Sequence, residues 1–129
     1  SSHQYPWYPG TGTRGEKGTS RGLGYTMNLP LRAATPAMEQ KRAFEAALEE
    51  MSASFSPDLI IISAGFDSHL GDPLGQLLLT DEDFVDMTRA VKQWAASSCQ
   101  GRLVSCLEGG YNLETLGETV RAHVEELGR

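Results

Sequence analysis

Two runs of uninterrupted apolar and small residues stand out in the hydrophobic pattern of this chain. The first is "LIIIS" at residues 59–63, and the second is the centre of "RLVSCLE", residues 102–108. Such continuous runs are typical of strands in a parallel sheet that is covered on both faces. A third, shorter strand is predicted at "YTMNL", residues 25–29, where Pro30 would end it because proline has no N–H to donate.

Between these runs the apolar residues recur at spacings of three and four, which indicates amphipathic helices. The first helix is predicted over residues 36–54, with Thr35 as its N-cap. The second begins after Thr80, a second predicted N-cap, and a third is predicted over residues 113–127. Their expected core-facing residues are Met38, Phe44, Ala47, Leu48 and Met51 in the first helix, and Phe84, Met87, Val91 and Trp94 in the second.

Strands and helices alternate from residue 25 onwards, which predicts an α/β fold with a parallel sheet and right-handed crossovers. Residues 1–24 are rich in Gly, Pro, Ser and Thr and are predicted to form a loop. A loop of this length inside a compact domain is usually functional. We therefore expect one domain over residues 1–129, consisting of this loop and of alternating strands and helices over 25–129.

The two loops "GFDSHLGDP" (65–73) and "EGGYN" (108–112) each follow a predicted strand. The carboxyl ends of parallel strands meet at one rim of a sheet, and ligands bind there in open α/β sheets. We therefore expect these two loops to lie together and to form the functional site.

Asp67 follows its strand directly, so its carboxylate is a candidate ligand for a divalent metal at this rim. His69 lies two residues further on, and an extended D-x-H segment would place both side chains on one face. The alternative interpretation is that Asp67 caps the loop by accepting hydrogen bonds from nearby amides. The spacing alone leaves both interpretations open.

Tyr111 follows Gly109 and Gly110, where the backbone can approach a ligand closely. Its phenol is a candidate donor to a developing oxyanion. The alternative is an aromatic ring that packs under a turn.

The segment "HQYPWYPGTG" (3–12) interleaves three aromatic residues with prolines and glycines. It is a candidate wall for a narrow apolar channel, or else a loop that its rings anchor to the core. We expect His3 to be a structural residue, His123 to lie on the surface, and Cys106 to be a buried small residue.

The bulk composition argues against several classes of protein. A formal net charge of -6 disfavours a sequence-independent nucleic-acid binder, which needs a basic surface. No apolar run approaches the roughly 20 residues that cross a bilayer, and the first residues lack the pattern of a signal peptide. No phosphate-binding GxxxxGKS/T motif is present. The chain reads as if it begins inside a fold, and we expect a cytoplasmic protein without a membrane or direct nucleic-acid partner.

Taken together, four segments resemble the C-terminal part of the histone deacetylase superfamily, in its class II and bacterial branch with the acetylpolyamine amidohydrolases. They are "HQYPWYPGTG", "YTMNLPL", "SPDLIIISAGFDSHLGDPLGQLLLT" and "GRLVSCLEGGYNLETL", and they occur in the order and spacing of the family. The resemblance implies a three-layer arginase/deacetylase fold, of which this chain is the C-terminal part. It also implies hydrolysis of the acetyl-amide bond of acetyl-lysine or an acetylpolyamine.

The resemblance assigns roles to individual residues. Asp67 matches the family's second zinc-binding aspartate, and Tyr111 matches the tyrosine that polarises the acetyl carbonyl. The family uses zinc and also holds monovalent cations such as potassium. The other matched positions are Tyr8 and Leu74 as parts of the substrate tunnel, Gly109 and Gly110 as backbone beside the tyrosine, and Ser1 and Tyr25 near the monovalent cations.

One departure from the family is serious. The family's other two zinc ligands and its paired catalytic histidines lie upstream of the matched segments, and residues 1–129 contain no His-His pair. His69 matches no zinc ligand of the family. A catalytic zinc site normally has three protein ligands, so we expect this chain alone neither to bind zinc tightly nor to deacetylate. A second copy, or a chain that carries the upstream half, is the expected protein partner, and the alternative to a deacetylase fragment is a small non-catalytic α/β binding module.

Overall fold

The computed structural model describes all residues from Ser1 to Arg129 and confirms an α/β fold with parallel strands. The strands form two parallel pairs, β1 with β2 and β3 with β4. No helix is both long enough and apolar enough to cross a membrane. The elements are β1 (Ser2–Gln4), a single 3-10 turn (Ser20–Gly22), β2 (Leu29–Leu31), α1 (Ala37–Ser54), β3 (Ile60–Ala64), α2 (Asp81–Cys99), β4 (Leu103–Leu107) and α3 (Leu116–Gly128).

Strands β3 and β4 form the pair that carries the predicted functional loops. They run in parallel from the Ile60–Leu103 pair to the Ala64–Leu107 pair. One face packs against the helices through two clusters of buried apolar residues, which hold the strands against α2. The clusters are Ile60, Val91, Ala95 and Cys99 in the first, and Ala64, Phe66, Leu79 and Phe84 in the second.

The opposite face of β3 and β4 is exposed, so the prediction that both faces are covered is wrong for this chain. Ile61 is 64% exposed and Val104, its partner in the register, is 47% exposed. Cys106 points to the same face and is exposed, which overturns its predicted burial. Continuous apolar strands indicate a sheet with two covered faces, whereas in this chain one face of β3 and β4 stays exposed.

The three predicted helices are present, and the start of α2 is confirmed in detail. Thr80 and Asp83 form a capping box, in which each side chain bonds the backbone N–H of the other residue. Its predicted inner residues face the core, with Phe84 and Val91 buried. Helix α3 begins at Leu116, three residues later than predicted, because the Asn112 side chain accepts a bond from the Glu114 N–H and holds a turn there.

Two details of α1 differ from the prediction. Pro36 is the N-cap, and the Thr35 hydroxyl instead donates to the carbonyl of Arg32 at 2.7 Å. Met38 is 62% exposed, while Gln40 is buried and donates through Nε2 to the carbonyl of Thr35. Gln40 therefore lies inside and bonds the Thr35 carbonyl, whereas Met38, which the apolar pattern predicted to face the core, lies outside.

The predicted loop over residues 1–24 contains a strand, and the predicted strand over 25–29 is displaced. Strand β1 pairs in parallel with β2, which passes through Pro30 instead of ending before it. Proline is tolerated in an edge strand, where its missing N–H faces away from the ladder. Two strands of three residues have too little pattern to be read from sequence, because their pairing partner is distant.

His123 is 5% exposed, so its predicted surface position is wrong. Its Nδ1 lies 2.7 Å from the Thr88 hydroxyl of α2, and its Nε2 lies 2.8 Å from the Ser105 hydroxyl of β4. The ring also packs edge-on against Phe66, with the ring centroids 5.5 Å apart. The imidazole therefore joins α3 to both α2 and β4.

Candidate functional site

The loops that leave β3 and β4 lie side by side, as the parallel topology predicted. The N–H of Glu108 donates to the Ala64 carbonyl at 2.9 Å, and the N–H of Phe66 donates to the Gly109 carbonyl at 2.8 Å. These bonds continue the ladder beyond the last residues of the two strands. Side chains from both loops therefore meet at the carboxyl rim of the sheet.

Asp67 is held at this rim between two glycines. A Cβ atom added to Gly109 would lie 2.9 Å from the Asp67 Cγ, and one added to Gly65 would lie 2.9 Å from its Oδ1. Any larger residue at either position would displace the carboxylate, because real Cβ atoms do not approach heavy atoms this closely. The two glycines therefore create the slot that the carboxylate occupies.

The carboxylate of Asp67 is half-buried and forms no ion pair. Burial raises its pKa above the ordinary range, and the nearby charge of Asp72 raises it further. A desolvated carboxylate without a cationic partner suits a positively charged ligand such as a divalent metal. This observation favours the metal interpretation over the loop-capping one, because no neighbouring amide uses the side-chain oxygens.

Asp67 is a single candidate ligand, and the chain does not contain a complete metal site. No group of three or more His, Cys, Asp or Glu residues lies close enough to hold an ion. His69 does not join Asp67: its Nδ1 accepts from the Gly71 N–H at 3.0 Å, and its Nε2 lies 3.5 Å from Asp81. The expected D-x-H alignment is wrong because the chain turns here, with the His69 N–H bonded to the Phe66 carbonyl.

Tyr111 is placed by its backbone and leaves its ring free. Its N–H donates to Asp72 Oδ2 at 2.8 Å, while its side chain is 52% exposed. Gly110 before it has a φ of +130°, a conformation that L side chains rarely adopt. The ring forms no aromatic pair under the turn, and the role of Tyr111 as a donor to a ligand stays a prediction.

Asp67 and Tyr111 line one cavity of about 860 Å³ between the N-terminal segment and β3. Tyr8 and Gly109 also line it, and Tyr8 is 92% exposed at its edge. The structure does not place Gly110 or Leu74 on this wall; Leu74 is 53% exposed, and its N–H donates to Asp72 instead.

Of the two residues expected near monovalent cations, Ser1 lines the same cavity as Asp67 and Tyr25 does not. The Ser1 carbonyl accepts from the Leu29 N–H at 2.7 Å as part of the β1–β2 pairing. Tyr25 is 77% exposed, and its N–H donates to Gly22. A potassium site at these residues stays a prediction. His3 is structural as expected, with Nδ1 3.0 Å from the Ser1 hydroxyl and Nε2 2.9 Å from the Gly12 carbonyl.

Sequence reasoning missed Asp72 and Asn112, which join the two rim loops. Asp72 is buried, and besides the Tyr111 N–H it accepts the N–H groups of Leu74 and Gly75 at 2.8 Å each. Asn112 donates to the Gly71 carbonyl. The Asp-Pro pair at 72–73 is a turn signal, which predicts the local bonds. Nothing in the sequence indicates a bond across 39 positions to Tyr111.

Comparison with known proteins gives a consistent result. A family model described as the histone deacetylase domain matches residues 1–127. The chain is 40% identical over 120 residues to histone deacetylase 14, chloroplastic, of Arabidopsis thaliana, covering 93% of this chain and 28% of that protein. It is 43% identical over 114 residues to a probable deacetylase of Archaeoglobus fulgidus, covering 88% of this chain and 32% of that protein.

Among solved structures, the acetylpolyamine aminohydrolase from Burkholderia pseudomallei superimposes with a TM-score of 0.86 at 30% identity. That match covers 98% of this chain and 36% of the other. The chain therefore spans about a third of the length of the proteins it resembles.

Proposed function

This chain belongs to the histone deacetylase family, and from that premise we propose that it forms one part of a zinc-dependent deacetylase site. In this proposal Asp67 is one zinc ligand and Tyr111 is the donor to the substrate carbonyl. The observation that carries the proposal is the arrangement of these two residues on one cavity, with the Asp67 carboxylate desolvated and unpaired.

The chemistry follows from what each side chain offers. Zinc, when bound, polarises an amide carbonyl and makes bound water more acidic. Asp67 contributes a negative oxygen at a fixed position, because Gly65 and Gly109 leave its carboxylate one slot. Tyr111 donates its phenolic hydrogen toward the carbonyl oxygen, where negative charge grows during attack on the amide. The exposed position of its ring leaves the hydroxyl free for that bond.

The substrate class we propose is an acetylated primary amine, either acetyl-lysine or an acetylpolyamine. Relatives of both types appear by name among the matches. Tyr8 and Trp7 line the cavity and offer aromatic surface to an aliphatic amine chain. Leu74, exposed on the neighbouring loop, would contact the substrate only at the rim.

We propose further that this chain does not deacetylate by itself. It provides one ligand where a catalytic zinc site normally has three, and the imidazoles of its histidines at 3, 69 and 123 already form hydrogen bonds with other protein groups. The remaining groups would come from the part of the relatives' length that this chain does not span. A cytoplasmic location stays a prediction, and one matched relative is chloroplastic by name.

A second candidate function is a non-catalytic module that binds a partner or its own copy. The exposed apolar pair Ile61 and Val104 favours it, because a soluble domain normally covers such strands. The two candidates differ in their need for the Tyr111 hydroxyl, which the catalytic role requires and docking through Ile61 and Val104 does not.

Substitution of Tyr111 by Phe in the complete deacetylase domain that carries this chain tests the proposal. We expect turnover of an acetyl-lysine peptide and of an acetylpolyamine to fall about 10²–10³-fold, because one oxyanion donor is lost. Bound zinc, measured by metal analysis, should stay at the wild-type level. Tyr5→Phe is the matched control, since Tyr5 does not line the cavity. Equal loss of zinc and turnover, or an unchanged rate, would contradict the role of Tyr111.

A further inference from the structure

We infer that Asp72 is a positioning residue, which fixes Tyr111 relative to Asp67 by bonding both rim loops with one carboxylate. The inference rests on the proposed function, because positioning matters only if Tyr111 acts on the substrate. It adds a residue that neither contacts the substrate nor binds the metal. Its evidence is the hydrogen bonding at residues 71–75 and 110–112.

Asp72 uses its two oxygens on different loops. Oδ1 accepts the N–H groups of Leu74 and Gly75, both at 2.8 Å, and so closes the turn within its own loop. Oδ2 accepts the N–H of Tyr111 at 2.8 Å, across 39 positions of sequence. Bonds to an ionised acceptor are shorter and roughly twice as strong as neutral ones. Asp72 is buried and lies in no ion pair, so these backbone groups are its binding partners.

The turn closed by Oδ1 is itself packed against Asp67. A Cβ atom added to Gly75 would lie 1.8 Å from the Asp67 carbonyl oxygen, so the two backbones are in direct contact. One side of the Asp72 carboxylate therefore supports the segment that carries the metal-ligand candidate. Its other side holds the tyrosine. A displacement of Asp72 would change the spacing between Asp67 and Tyr111.

Asn112 adds a second bond between the same loops, because its Nδ2 donates to the Gly71 carbonyl at 2.6 Å. Without these two bonds, Tyr111 would follow a Gly-Gly pair that has no side chain to hold it. Gly110 has a φ of +130°, a conformation that glycine adopts readily and other residues rarely adopt. The polar side chains at 72 and 112 supply the rigidity that the glycines lack.

Substitution of Asp72 by Asn in the complete deacetylase domain breaks the bond to Tyr111 selectively. The amide oxygen of Asn would keep the turn to Leu74 and Gly75, while its NH2 group would face the Tyr111 N–H, donor against donor. We expect kcat to fall about ten- to hundredfold, because a misplacement near 1 Å costs rates of this size. KM should stay within about twofold and zinc content should not change. Asp58→Asn is the matched control, since Asp58 is exposed before β3 and its side chain bonds nothing.

A double mutant separates positioning from a general structural effect. If Asp72 acts through the phenol of Tyr111, then Asp72→Asn should add less than about twofold to the loss already caused by Tyr111→Phe. Full multiplication of the two losses would overturn the inference. A loss for Tyr111→Phe together with a wild-type rate for Asp72→Asn would overturn the inference alone. An unchanged rate for Tyr111→Phe would overturn the proposed function, and this inference with it.

A second variant keeps the test decisive if Asp72→Asn does not fold. Asn112→Asp is isosteric, retains the side-chain oxygen that accepts the Glu114 N–H, and replaces the donor to Gly71 by an acceptor. We expect the same fall in kcat with KM and zinc content retained, and the same non-additivity with Tyr111→Phe. A wild-type kcat for Asn112→Asp would overturn the inference that bonds between these loops position the tyrosine.

Discussion

The slot around Asp67 shows how a glycine can determine the position of a neighbouring carboxylate. Gly109 contributes no functional group, yet a Cβ there would lie 2.9 Å from Cγ and Oδ1 of Asp67. In the complete deacetylase domain we expect Gly109→Ala to displace the carboxylate and lower turnover about ten- to hundredfold, with a loss of zinc affinity. Steady-state kinetics and metal analysis would measure both.

Gly117→Ala is the control for this substitution. Gly117 lies in the first turn of α3 with no atom within 4 Å of an added Cβ, so the change introduces no contact. It should leave turnover unaltered and stabilise the domain by up to about 1 kcal/mol, because alanine has the higher helix propensity. Wild-type activity and zinc content for Gly109→Ala would show that the carboxylate has room to move.

At this scale the sequence predicts which residues reach the rim but not how they are held. Asp67 and Tyr111 were predicted to lie at the rim because each follows a strand with a clear apolar pattern, and both line the cavity. His69 was expected beside Asp67 on the assumption of extended chain, and a turn carries it away. The bond from Tyr111 to Asp72 joins residues 39 positions apart, and only the folded backbone brings them together.

At the scale of elements, His123 joins three of them through a neutral imidazole. The Thr88 hydroxyl donates to the Phe84 carbonyl at 2.6 Å, so it must accept from Nδ1–H of His123. Nε2 then accepts from the Ser105 hydroxyl. The pKa of His123 is lowered because burial disfavours its charged form. Helix α3 is therefore attached to α2 and β4 most firmly when this ring is uncharged.

The sign of the pH dependence follows from this shift. Between the lowered folded pKa and the unfolded value of about 6.5, the unfolded chain binds more protons than the folded chain. The stability that the neutral His123 imidazole contributes is complete above about pH 6.5 and is lost as the pH falls toward the folded pKa. The total loss is about 1.4 kcal/mol for each unit by which folding lowers the pKa. Urea unfolding of this chain at pH 7, 6 and 5 should show the loss in the wild type and a flatter profile in His123→Gln. Parallel profiles would contradict this assignment.

Elements with a strong local signal were predicted well, and those that depend on distant partners were not. Apolar runs predict strands β3 and β4, and the capping residues Thr80 and Asp83 predict the start of helix α2. Strands β1 and β2 form because they pair with each other across the N-terminal segment. The inward turn of His123 likewise depends on hydroxyls from two other elements, which periodicity within α3 does not show.

At the scale of the whole molecule, the family fold and the content of the site lead to different expectations. The chain reproduces the fold of its relatives closely, with a TM-score of 0.86 over 98% of its length. Its strands β3 and β4 nevertheless have one exposed apolar face, and Asp67, the proposed metal ligand, has no second or third candidate ligand beside it. Close agreement of the backbone with the relatives therefore does not bring a complete metal site with it.

Zinc titration of this chain tests whether it holds zinc without further ligands. If Asp67 is the only zinc ligand in this chain, as proposed, calorimetry at pH 7 should show no saturable binding in the micromolar range, and acetyl-lysine peptides should not be hydrolysed. Asp67→Asn should leave the weak zinc-binding signal of this chain almost unchanged. In the complete domain the same substitution should remove the bound zinc. Asp58→Asn should change neither the signal of this chain nor the zinc content of the complete domain. Tight stoichiometric binding by this chain, abolished by Asp67→Asn, would mean that the 129 residues build a full site by themselves or across copies. The proposal that the remaining ligands come from additional sequence would then be wrong.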